Sequence, residues 1–186
     1  RSLQYDNTKA TPSLGERTFE FTANDGENDS NTAKSTITIA EPPAVDLDVA
    51  DTGTTDFSAK FNSTTGNPVN VTNTDAAVSD NDDTRMVSFK IVAGGAGLLD
   101  GTDETVVFKD GGGTDLTGDL ATDFTGTVTP TGSTITFKVI YTVADKTFVI
   151  QDNADPANEL PKADLDKLMR SLQYDNTKAT PSLGER

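Results

Sequence analysis

The seventeen residues RSLQYDNTKATPSLGER occupy positions 1–17 and recur without a change at positions 170–186. A run of such mixed composition does not repeat by coincidence. It marks one period of a tandem array, cut so that the overlap shows, and the period is the 169 positions separating Arg1 from Arg170. Solenoid repeats are about 20–50 residues long, so a period of this size is a whole domain and not a stacking unit. The chain reads as a bead from a string.

What the bead can be made of is bounded by its residues. The chain has 186 residues, enough for one core and a small second one. Only 33% are hydrophobic and 6% aromatic, so that core is thin. Thr, Asp, Asn and Gly dominate, which suit turns and strand surfaces and serve helix interiors poorly. Cysteine, histidine and tryptophan are absent, which excludes a disulfide framework and a thiolate site. There are 15 basic against 30 acidic residues, a net charge of −15. No basic patch offers itself to nucleic acid. No apolar run approaches the ~20 residues of a membrane helix, and no segment reads as a signal peptide, as expected of an excised internal repeat. The acidity implies either plain solubility or a demand for counter-cations.

Taken in order, residues 18–22 alternate with Phe19 and Phe21 on one face, and residues 35–39 alternate again through Ile37 and Ile39. With the acidic turn at 24–29 between them they predict a β-hairpin. Glu41-Pro42-Pro43-Ala44 has the stiffness of a linker and marks a domain boundary, leaving residues 1–41 as the tail of one repeat and 42–186 as the body of the next. Residues 45–49 open that body as a strand. Residues 57–61, 69–71, 86–92 and 105–109 predict further strands, with a glycine-rich turn at 94–101. Residues 111–127 read as a long loop or a β-excursion. The strongest strand is 134–143, where Ile135, Phe137, Val139 and Tyr141 share a face; residues 147–151 pair with it across a turn. Leu165, Leu168, Met169 and Leu172 recur at helical spacing and predict one helix over 160–169, two turns at most, with Pro161 in its first turn. Many short strands with polar turns predict an all-β antiparallel sandwich carrying one short helix.

Several of these stretches carry a resemblance. Arg170-Ser171-Leu172-Gln173-Tyr174-Asp175-Asn176-Thr177 followed by Gly184-Glu185-Arg186, and the run from Arg17-Thr18-Phe19 through Asn24-Asp25-Gly26 to Asp29-Ser30-Asn31-Thr32-Ala33, resemble the last strands of cadherin-like or immunoglobulin-like repeats in very large bacterial surface proteins. Val45-Asp46-Leu47-Asp48 and Val78-Ser79-Asp80-Asn81-Asp82 resemble the opening of the next repeat. The resemblance covers both ends of the period and leaves residues 93–160 uncovered. It implies a Greek-key sandwich, an extender role in a secreted adhesin of the repeats-in-toxin (RTX) type, and calcium bound at domain junctions. It also implies a place at the bacterial cell surface, with identical repeats of the same chain as neighbours.

The carboxylates give that implication something to act through. Calcium takes about 6–8 oxygen ligands, so it selects loops where carboxylates and carbonyls converge. Three clusters qualify: Asp25, Glu27 and Asp29 in the hairpin turn; Asp46 and Asp48 beside the linker; Asp80, Asp82 and Asp83 at a corner. In a strand Asp46 and Asp48 point to one face. The plainer reading of each is that turns are made of Asp, Asn and Gly, and for 25–29 the two readings weigh equally. Residues 100–104 share the composition of a cation loop but read better as a turn. None matches the twelve-residue EF-hand pattern.

Catalysis has little to work with. Without His or Cys the acid–base options are mainly Asp, Glu, Lys and Tyr. Gly111-Gly112-Gly113 lacks the lysine and helix start of a phosphate loop. No enzyme is expected. Two functions compete: a calcium-stabilised spacer projecting a distal binding region, or a module binding sugar or protein through the 93–134 insertion, where Phe108 and Phe124 are the aromatics on offer. The register of the array has one more consequence. The body at 42–186 lacks the hairpin that follows the first copy of the repeated run, so either the hairpin of another molecule supplies it by strand exchange, the favoured reading, or the chain's own hairpin folds back onto the body.

Overall fold

The computed structural model describes residues 3–62, 66–94 and 100–182. The chain divides into two units, one of residues 1–43 with Asp80–Asp82, the other of residues 44–79 and 83–186.

The first unit is built on one hairpin. Strands β1 (Gly15–Phe21) and β2 (Ala33–Ile39) pair antiparallel with Arg17 opposite Ile37, Phe19 opposite Ser35 and Phe21 opposite Ala33. Because side chains alternate, all of these lie on one face. The turn is closed by an Asn24–Asp29 bridge and by Gly26, whose φ of +98° suits a residue without a Cβ. Tyr5 leans edge-on against Phe19, with ring centroids 6.2 Å apart. Among the described residues of this unit none is buried. A two-stranded hairpin alone is at best marginally stable in water.

The second unit holds the core. In chain order its elements are β3 (Ala44–Asp46), β4 (Val69–Asn70), β5 (Ala77–Ser79), β6 (Arg85–Met86), β7 (Phe89–Val92), β8 (Glu104–Phe108), β9 (Leu116–Asp119), β10 (Phe124–Val128), β11 (Phe137–Thr142), β12 (Thr147–Asp152), β13 (Leu160–Pro161), the helix α1 (Lys162–Ser171) and β14 (Leu172–Asn176). One four-stranded sheet runs β10-β11-β12-β7, another β4-β14-β8-β9, and two small ladders pair β3 with β5 and β13 with β6. Every pairing is antiparallel. The fold is all-β with one short helix.

The strands of the two large sheets alternate buried and half-buried along β8, β11 and β12. Their inner faces meet where Phe108 of β8 packs edge-on against Phe148 of β12, centroids 6.0 Å apart. Tyr141 and Phe124 complete the aromatic cluster around Phe148. Tyr141 brings a hydroxyl into this apolar layer and donates it to the Leu120 carbonyl at 3.1 Å. Leu165, Leu168 and Met169 of α1 close the core.

Several sequence expectations change. The helix starts at Lys162, after Leu160 and Pro161 have paired with Met86 and Arg85, and its ten residues make nearly three turns instead of two. Leu172 continues the helical spacing but belongs to β14. The stretch 111–127 is the excursion and not the loop: β9 and β10 join the edges of opposite sheets. Gly118 and Gly126 make their close approach possible, since a Cβ at either would sit 2.2 Å from the Phe124 ring or a Leu116 methyl. Residues 57–61 alternate but form no strand. The expected strand at 45–49 keeps three residues, shifted to Ala44–Asp46, and the one at 86–92 breaks into β6 and β7. Most of the glycine-rich turn at 94–101 lies outside the described residues.

Candidate metal centre

The corner after β5 brings three carboxylates together. Asp80 Oδ1 accepts the Asp82 backbone N–H at 3.1 Å, which folds the chain back on itself. In that turn Asp80, Asp82 and Asp83 each offer a carboxylate oxygen within 4.8 Å of the others. Asp82 Oδ1 also accepts the backbone N–H of Glu41 at 3.2 Å, and Glu41 Oε2 accepts from the Asn81 side chain at 2.5 Å. The residue preceding Pro42-Pro43 is therefore tied to the corner by two hydrogen bonds. Asp80 is half-buried, and Asp82 and Asp83 are exposed. The nearest basic residue in sequence, Arg85, donates to the Glu159 carbonyl.

Three carboxylates supply at most six oxygens, short of or equal to the lower coordination number of calcium, with water able to fill the rest. Among the described residues this is the one place where three acidic groups converge in this way.

Most of the other expected ligands accept hydrogen bonds from nearby backbone or side-chain donors. Asp25 Oδ1 accepts the N–H groups of Glu27 and Asn28, both at 2.9 Å, and these bonds, the Asn28 one foremost, hold its carboxyl below the ordinary value. Asp29 Oδ1 accepts from the Asn24 side chain at 2.6 Å. Glu27 sits exposed in the same turn. Asp46 Oδ1 accepts the Asp48 N–H at 2.9 Å, and Asp48 Oδ1 accepts from the Asn73 side chain at 2.6 Å. The bonds of Asp25, Asp29 and Asp46 stay within their own turns, and that of Asp48 reaches across to Asn73. Asp75, which sequence reasoning passed over, accepts the Ala50 N–H at 2.7 Å through Oδ2 and keeps a buried Oδ1 without a hydrogen-bond partner. A lone Asp in a Thr-Asp-Ala context gives no signal of that.

Residues 100–104 hold a second acidic pair, and here the second copy of the repeated run does the binding. Asp100 and Glu104 are buried at the two ends of a single 3₁₀ turn. Asp100 accepts from Lys178 Nζ at 2.6 Å, Asn176 Nδ2 at 2.8 Å, and Ser182 Oγ and N–H at 2.7 and 2.9 Å. Glu104 Oε1 accepts the Tyr174 hydroxyl at 2.8 Å. The Lys178 ammonium above all, then Ser182 and Asn176, hold the Asp100 carboxyl far below the ordinary value against the opposing effect of burial. Donors of the protein fill this site, so it is a clasp holding residues 174–182 and not a cation loop.

The aromatics of the insertion point inward: Phe108 is fully buried and Phe124 packs on Tyr141 and Phe148. Neither provides the exposed face that sugar binding favours. Among the described residues no helix is long and apolar enough to cross a membrane. No protein-family model matches the chain, and neither a curated protein nor a solved structure matches it.

Proposed function

We propose that the chain is a spacer repeat of a secreted bacterial surface adhesin, stiffened by calcium, whose copies stand in tandem and hold a distal binding region away from the cell. The observation that carries the reading is the acidic corner of Asp80, Asp82 and Asp83, fastened to Glu41 where the chain enters Pro42-Pro43. A cation there would draw oxygen ligands from carboxylates gathered at the base of a linker. The unbroken repetition at a 169-residue interval and the net charge of −15 agree with a cation-dependent array. Extracellular calcium modules bind at about 10⁻⁴–10⁻³ M, which suits a surface protein.

The test is thermal melting in calcium and then in excess chelator. Calcium at 100 times its dissociation constant adds about 2.7 kcal/mol if it binds the folded form alone. At about 2–4 °C per kcal/mol that raises the midpoint by roughly 5–11 °C. Replacing Asp80, Asp82 and Asp83 together by Asn abolishes the difference. A midpoint indifferent to calcium in the parent chain overturns the metal reading.

A further inference from the structure

The second unit carries an open apolar groove of about 300 Å³, lined among others by Val45, Leu47, Val71, Phe89, Ile91 and Leu172. It runs between β3 and β7. Among the described residues β7 is the last strand of its sheet, bonded to β12 on one side only. Val45 and Val92 stay 44% and 64% exposed at this edge, although their neighbours belong to the core. An uncovered strand edge beside an apolar groove is a place where another strand can add.

The first unit has the complementary shortfall. The β1–β2 hairpin presents Phe19, Phe21, Ile37 and Ile39 on one face, and not one of them is buried. Leu3 and Tyr5 border that face without burying it, so it keeps room for a larger apolar partner.

The sequence connects the two observations. In its first copy the run RSLQYDNTKATPSLGER leads into the hairpin, and in its second copy the same run supplies β14, whose Leu172 lines the groove. The period therefore places a hairpin of this sequence after β14, beyond the residues held on Asp100.

We infer that the groove is the seat of the β1–β2 hairpin from a second copy of this chain, with one strand of the hairpin extending the sheet at the free edge of β7. The copy is a different one because the period sets the hairpin of the seat after β14, whereas this chain's own hairpin precedes β3. Two chains that exchange hairpins close a dimer; chains that pass them head to tail make a filament. The seat needs no metal, so it stands or falls apart from the calcium reading.

The experiment is sedimentation of the 186-residue chain over a wide concentration series, once in calcium and once in chelator. Three altered chains accompany it. One carries Ile91→Glu in the groove. A second carries Phe19→Ser with Ile37→Ser in the hairpin, which leaves the core of the second unit untouched. The third has a further copy of residues 18–41 appended after Arg186. The parent chain is expected to associate as concentration rises, in chelator as in calcium. Both sets of substitutions should weaken association by roughly tenfold or more, and the appended chain should stay monomeric and melt higher than the parent. A parent chain that is monomeric at every concentration overturns the inference, as does association indifferent to the hairpin substitutions or an appended hairpin that leaves the melting temperature unchanged.

Discussion

Leu3 and Leu172 are the same residue in the same seventeen-residue context, yet Leu3 is 73% exposed and Leu172 is 4% exposed. Truncating each to alanine isolates what surroundings contribute when local sequence is held constant. Burial of a leucine followed by its loss costs about 2–5 kcal/mol, the spread depending on how far the site collapses or hydrates. Leu172 borders the open groove, so water and neighbours can partly fill the space it leaves. That places Leu172→Ala near the low end, about 2–3 kcal/mol. At about 2–4 °C per kcal/mol the melting midpoint falls by roughly 4–12 °C. Leu3→Ala, on the surface, stays within about 0.5 kcal/mol, or roughly 2 °C at most. Circular dichroism melts of the two single variants, with the double variant as a check on additivity, measure the difference. Equal effects at the two positions would refute the assignment of β14 to the second copy. A parallel pair sharpens the result: Tyr174→Phe removes the hydroxyl bonded to the fully buried Glu104, whereas the corresponding Tyr5 hydroxyl meets only Asn7 at 3.4 Å. The first costs about 1–3 kcal/mol and the second is near neutral.

Asp164, 2% exposed in the first turn of α1, accepts from the Thr134 N–H, the Thr134 hydroxyl and Lys167 Nζ at 3.0, 2.6 and 2.9 Å. Asp164→Asn puts a donor among those donors and costs about 1–3 kcal/mol, read as a lower urea midpoint. Burial pushes the Asp164 carboxyl up, but the Thr134 and Lys167 bonds outweigh it and leave it below its ordinary value. The Asp100, Asp110 and Asp115 carboxyls are likewise held low, by Lys178, by the Gly112 N–H and by Lys109 respectively in the first place. A carboxyl depressed in the folded state stabilises it above the unfolded value and loses that contribution as pH falls through the folded one. Urea midpoints should therefore be nearly flat above about pH 5 and drop below about pH 4; a midpoint that rises on acidification contradicts these pairings. Gly118→Ala forces a methyl to 2.2 Å from a Phe124 ring that Tyr141 and Phe148 already confine. It should cost about 1–3 kcal/mol, measurable by calorimetry, and Phe124→Leu should restore part of it.

How much of this could be read from the chain depended on whether the signal was local. The alternation Phe137, Val139, Tyr141 against Phe148, Ile150 has period two over a full strand and predicts β11 and β12 without help. Leu116-Thr117-Gly118-Asp119 and Phe124-Thr125-Gly126-Thr127-Val128 read equally as a loop or a β-excursion because glycine stands where a side chain would collide with the facing strand. Their strand character comes from packing, which composition hides. The spacing starts the helix two residues early because Pro161 suits both a first helical turn and the short pairing with Arg85 that it makes. At the candidate site Asp80, Asp82 and Asp83 are neighbours in sequence, so their convergence was legible. The clasp on Asp100 was not, since its donors stand 76 to 82 positions away.

The repeated run shows why such distant partners decide. Residues 172–176 form a strand because β8 and β4 flank it, pairing Leu172 with Phe108 and Gln173 with Asn70, and because Asp100 then anchors the residues that follow. The identical residues 3–7 form no regular element. Local propensity is the same for both copies, so the whole difference is tertiary. Tyr, Asn, Lys and Ser at spacings of two, two and four residues make a clasp only where a buried carboxylate awaits them. Under the exchange inferred above, a copy of the run that meets a body takes the β14 form, and the hairpin and the groove are the two halves of one contact.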